Sequence, residues 1–194
     1  MVSSECVCDA ELLVYSFPKK LEADVRLVAQ GIPNQVYASG RCSYTLLDGE
    51  EIVFPYRIYG TEKIKLPVYL TATQKLVAHA ILSRSDNGFT REIHIRELLK
   101  GELPDWVFPY ILKLSDEYVV EILEIIYVSL HTQNCDQLKA FCRRNVASFV
   151  RSYDRMASYW GEYGRGGSFH QYVGKKLFRE CFGYQRSLWR MAVC

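Results

Sequence analysis

The sequence predicts an α+β fold, with an N-terminal β-hairpin-containing portion packed on a C-terminal helical portion of about five helices. Three observations lead there. β-branched and aromatic runs, the composition of strands, gather before residue 70. From Thr71 onward apolar residues recur at helical spacing instead. No long linker or low-complexity tract divides the chain, so 1–70 reads as a β-rich subdomain and 71–194 as a helical one, within a single compact domain overall.

In chain order, Leu12 to Phe17 is a short apolar run ended by Pro18 and carries a strand signal. A helix is predicted from Lys19 to Gln30, with Leu21, Val25 and Val28 on one face and Gly31 at its C′ position. Cys42 to Leu47 and Glu51 to Tyr59 are joined across Asp48-Gly49, a strong hairpin signal. Pro55 cannot donate to a ladder, which makes the second run an edge strand or a bulged one. Thr71 and Gln74 fit a capping box ahead of Leu76, Val77, Ala80 and Ile81. After the Ser85-Asp86-Asn87-Gly88 turn, a helix from Arg91 to Lys100 stops at Gly101. Ser115 and Asp116 are placed to cap an apolar helix that carries Glu117, Glu121 and Glu124 on one narrow face. The longest helix is predicted over 135–160, with a seam of Leu138, Cys142, Phe149, Tyr153, Met156 and Trp160, and a last one between Ser168 and Phe182.

Composition excludes several classes. Apolar residues make up 49% and charged residues 24% of the 194, which is ordinary globular usage rather than disorder. The first ten residues hold two acids and no basic run before an apolar stretch, unlike a secretory signal. The most apolar segment, Tyr118 to Leu130, is interrupted by two glutamates and is short of the roughly 20 residues a spanning helix needs. Seven cysteines form no disulfide framework and read as free thiols. The expectation is a soluble cytoplasmic protein that does not enter a membrane.

No motif for a metal, a cofactor or catalysis stands up. The four histidines, 79, 94, 131 and 170, make no His-Glu-x-x-His pair. Cys6-Val-Cys8 lacks the second pair a tetrahedral site needs. The glutamate face reads as a solvated strip. In Gly161 to Ser168 the glycines precede a helix, yet no Lys-Ser or Lys-Thr follows at phosphate-loop spacing.

Charge distribution stands out. Residues 1–134 carry a net −5 and residues 135–194 a net +7. On a continuous helix, Arg144, Arg151 and Arg155 would lie within about 40° of one another. Arg165, Lys175, Lys176, Arg179, Arg186 and Arg190 follow, interleaved with Tyr163, Phe169, Tyr172, Phe178, Tyr184 and Trp189. Cations neutralise phosphates and aromatic rings stack on bases, which is how single strands are held. The expected function is therefore a non-catalytic binding protein. Its basic, aromatic C-terminal third docks on an anionic partner, nucleic acid or an acidic protein surface, through Arg144, Arg151, Arg155, Arg165, Lys175, Lys176 and Arg179. The bland alternative is that these cations pair with the acidic remainder and the aromatics fill a core. Two other functions compete: an enzyme of unrecognised class with a site near Gly161–Ser168 using His170 and Arg165, and a structural homo-oligomer.

Overall fold

The computed structural model describes residues 6–163 and 167–185. The fold is α+β, and the chain divides into two compact units, Met1–Leu98 and Leu99–Cys194.

The first unit is built on an antiparallel sheet in the order β1 (Cys6–Val7), β2 (Tyr37–Thr45), β3 (Glu51–Tyr59). The β2–β3 hairpin keeps one register from Tyr37↔Tyr59 to Thr45↔Glu51. Its loop closes by Leu46 N–H donating to Glu50 O at 2.8 Å, and Gly49 takes φ +96° as the Asp-Gly signal demands. Pro55 sits in β3, an edge strand, with the register unbroken on either side of it. Part of that edge is covered. Ile58 N–H donates to Arg84 O at 2.8 Å, and Asp86 N–H donates back to Ile58 O at 2.9 Å.

The Leu12–Phe17 segment is helical rather than a strand: α1 (Ala10–Leu13) runs into a 3-10 turn at Val14–Ser16. Asp9 caps α1 by accepting the Leu12 N–H at 2.9 Å. Leu13 and Phe17 are buried while Tyr15 between them is 70% exposed, so the run follows a helical period and not a period of two.

Then α2 (Glu22–Ala29) buries Val25, Val28 and Ala29. Gly31 beyond it is not left-handed. It is required by close approach, because a Cβ there would lie 2.2 Å from Lys65 O. The capping box of α3 (Ala72–Leu82) is present in both directions, and Gln74 also donates from Nε2 to Asp24 Oδ1 at 2.8 Å. α4 (Gly88–Leu98) begins three residues earlier than its periodicity suggests, because Asn87 Oδ1 accepts the N–H groups of Phe89 and Thr90. Two guanidinium groups are fully buried, that of Arg84 in the α3–α4 connection and that of Arg91 on α4. Arg84 Nη2 donates to Tyr56 O at 2.6 Å, and Arg91 Nη1 donates to the carbonyls of Ser85 and Asp86, each at 2.9 Å.

In the second unit, α5 (Phe108–Leu114) is buried along its whole length. It is followed by α6 (Val120–Leu130), α7 (Asp136–Arg144), α8 (Val146–Glu162) and α9 (Val173–Glu180). Among the described residues beyond 70 there are thus seven α-helices rather than about five. One addition is α5. The other arises because the long helix breaks at Asn145, whose backbone adopts φ −111°, ψ 42°. Asn145 Nδ2 donates to Phe141 O at 3.0 Å, the last-turn carbonyl that also accepts the Asn145 backbone N–H at 3.1 Å. The expected seam of 135–160 survives the break: Leu138, Cys142, Phe149 and Met156 are buried, and Tyr153 and Trp160 half-buried.

Gly31→Ala is expected to destabilise the protein by roughly 1–3 kcal/mol, as forced overpacking does. Urea unfolding followed by circular dichroism measures it, with Gly161→Ala, where a Cβ meets nothing within 4 Å, as the control.

Candidate functional site

The second unit is organised round a buried carboxylate. Asp116 is 2% exposed and Lys113, at the end of α5, is 6% exposed. Lys113 Nζ donates to Asp116 Oδ2, Ser152 Oγ on α8 donates to the same oxygen at 3.2 Å, and Arg155 Nε stands 4.0 Å from it. Asp116 is therefore no cap for α6, whose N-terminus has no side-chain cap, and Ser115 Oγ donates back to Ile111 O at 2.8 Å. Glu117 is buried and lies outside α6, which leaves Glu121 and Glu124 as the exposed pair of the expected glutamate face.

The expected anion-binding residues fall into three groups. Arg144 ends α7 and is exposed; Arg151 is exposed on α8, across the Asn145 break, so the two do not share the continuous helix from which their alignment was expected. Arg151 makes no ion pair with a described residue, whereas half-buried Arg155 donates from Nη2 to Tyr159 Oη at 3.3 Å and faces Asp116. On α9, Lys175 Nζ meets His170 Nδ1 at 2.9 Å and sits 4.9 Å above the Phe169 ring, Lys176 is half-buried, and Arg179 pairs with Glu180. That Arg179 contact, and then the Tyr127 hydroxyl at 2.7 Å, hold the Glu180 carboxyl below its ordinary range. Arg165, Arg186, Arg190 and Trp189 lie outside the described residues.

The aromatics divide sharply. Phe178, Tyr172 and Tyr184 are buried: Phe178 stacks on Phe149 at 5.6 Å and Tyr184 on Tyr153 at 3.6 Å. These three fill a core and cannot meet a ligand's bases. Exposed rings come from elsewhere: Tyr118 and Tyr163 cluster with the half-buried Tyr159, with centroids 5.9 to 6.1 Å apart. Sequence reading named Tyr163 alone of these. Tyr159 was legible as the residue four beyond Arg155, but nothing in the sequence joins Tyr118 to it.

Other chemistry is sparse. Among the described residues no group of three or more His, Cys, Asp or Glu is placed to hold a metal ion, and no helix is long and apolar enough to cross a membrane. Burial pushes the thiols of Cys8 and Cys181 up to about 12, which makes them poor nucleophiles. His170 is exposed and its Nδ1 is engaged by Lys175; among the described residues no nucleophile is hydrogen-bonded to its ring. In the first unit a cleft of about 610 Å³ is lined by Leu12, Tyr15, Arg41, Val53 and Pro55 among others. Also there, His79 Nδ1 on α3 and His94 Nδ1 on α4 lie 2.8 Å apart, so one ring donates and the other accepts. Burial, and then the neighbouring His79, push His94 from 6.5 down to about 4, with Glu97 opposing.

Comparison with protein families, curated proteins and solved structures finds no match.

Asp116→Ala removes the acceptor shared by Lys113 and Ser152 and is expected to lower the urea midpoint, by up to about 3–5 kcal/mol as the breaking of buried pairs does. For His94 the unfolded chain takes up a proton near pH 6.5 that the folded chain refuses until about pH 4. Stability should therefore fall as the pH drops through that window. His94→Gln is expected to flatten this part of the curve of urea midpoint against pH.

Proposed function

We propose that this chain is a non-catalytic binding protein whose second unit docks on an anionic partner, nucleic acid foremost, through the cations of α7, α8 and α9. The observation that carries the reading is the net +7 of residues 135–194 combined with the exposure of Arg143, Arg144 and Arg151 at and beyond the Asn145 break. Two of the unit's acids already have partners: Asp116 is engaged by Lys113 and Ser152, and Glu180 by Arg179 and Tyr127. Charges so arranged steer a polyanion and bind it with strong salt dependence. Arg144, Arg151, Arg155 and Lys176 are the residues expected to meet phosphates; Lys175, on His170, and Arg179, on Glu180, contribute field more than direct contact.

Fluorescence anisotropy of labelled oligonucleotides across a salt series tests this. The triple substitution Arg144→Glu, Arg151→Glu and Lys176→Glu is expected to weaken binding at least tenfold and to reduce the slope of log K against log salt by about 2. Tighter binding to oligo-glutamate than to nucleic acid would move the reading to acidic proteins. Affinity that ignores salt, or that survives the triple substitution, would sink it.

A further inference from the structure

The α8 cations do not stand alone. Arg151, Arg155, Tyr159 and Tyr163 follow one another at steps of four residues, Tyr163 being the residue that caps the helix. Each step advances about 6 Å along the helix axis and rotates by about 40°, so the four make one oblique ridge. Its first half is cationic and its second half aromatic. At the aromatic end Tyr118 joins from the α5–α6 connection, 6.0 Å from Tyr159 and 5.9 Å from Tyr163 between ring centroids. Tyr118 is 45% and Tyr163 54% exposed, so a large part of each stays open to solvent.

We propose that Tyr118, Tyr159 and Tyr163 form a base-stacking platform, and that the second unit takes single-stranded nucleic acid, its phosphates along Arg151 and Arg155 and its bases on the tyrosines. This deepens the anion-docking reading above and rests on it. Three features favour an unpaired strand over other polyanions. A base offers a flat π-face that an acidic side chain lacks, and stacking on aromatic residues beside a cationic track is the common mode of single-strand binding. In a duplex those faces are occupied by neighbouring bases, so only the phosphates would remain to be read. The rings also hold one another in place, and Arg155 is fixed by Tyr159 and Asp116, so little side-chain freedom is left to lose on binding. Tyr159 lies between the cation and the other two rings and acts as a positioning residue for Arg155 as well as a wall of the platform.

The test compares a labelled oligo-thymidine, an abasic strand of equal length and the corresponding duplex, at one salt concentration, by anisotropy. The wild-type protein is expected to prefer the strand with bases by about tenfold or more over the abasic strand. Joint Tyr118→Leu and Tyr163→Leu substitution should bring the two to equal affinity while leaving the salt slope unchanged. Joint Tyr118→Phe and Tyr163→Phe substitution, which keeps the rings, should retain the preference. Equal wild-type affinity for the strands with and without bases overturns the platform while leaving the docking reading intact, and this comparison needs no variant to fold. Tighter binding to the duplex also overturns it. Absence of salt-dependent binding to any of the three overturns both.

Discussion

A carboxylate carried out of water must find cations and hydrogen-bond donors, or the surrounding side chains cannot close over it. In the second unit that constraint falls on Asp116. Its oxygen draws Lys113 from the end of α5 and Ser152 and Arg155 from α8. Two consequences follow. The turn after α5 is held against α8, and Arg155 is turned toward Tyr159 rather than left to wander in solvent. In the sequence Asp116 reads as a cap for the helix that follows, and nothing there pairs it with Lys113. Only the packing of α8 removes them from water and turns a weak surface contact into one whose loss is expensive.

The same packing sorts the aromatic residues. Hydrophobic burial is indifferent to whether a ring was destined for a ligand, and α9 presents Leu177 and Phe178 inward as part of an aromatic core with Phe149, Tyr153, Phe182 and Tyr184. Cations interleaved with those rings are left on the opposite faces, and most of them find partners: Lys175 on His170, Arg179 on Glu180. In the C-terminal third, Tyr172, Phe178 and Tyr184 fill a core, and Arg143, Arg144, Arg151 and Arg179 are exposed. The rings available to a partner belong to a different set, at the end of α8 and in the turn before α6.

In the first unit the parallel role belongs to the Arg84–Asp86 segment. It pairs with Ile58 on the edge strand β3, covers part of that edge, and takes the buried guanidinium of Arg84 onto the Tyr56 carbonyl. The His79–His94 contact then ties α3 to α4. A turn motif alone says that the chain reverses at 85–88; it does not say that the reversal docks on a sheet.

Local chemistry was legible in the sequence wherever a short-range rule governs it. The Asp48-Gly49 hairpin, the Thr71 and Gln74 capping box, the edge strand at Pro55 and the seam of 138–160 each depend on residues within a few positions of one another, and each is present. Leu12–Phe17 failed because so short an apolar run fits two periods, and the Asp9 cap settled the matter in favour of helix. Asn145 failed because one polar residue inside a long amphipathic pattern rarely signals a break until its side chain is seen on Phe141 O. By itself the sequence determined the α+β class, most helix and hairpin positions and the surplus of positive charge after residue 135. What only the tertiary structure decided is which charges lie in water and which rings lie in the core. Burial depends on residues distant in the chain, such as Asp116 with Ser152 or Tyr118 with Tyr163, and no local pattern encodes those meetings.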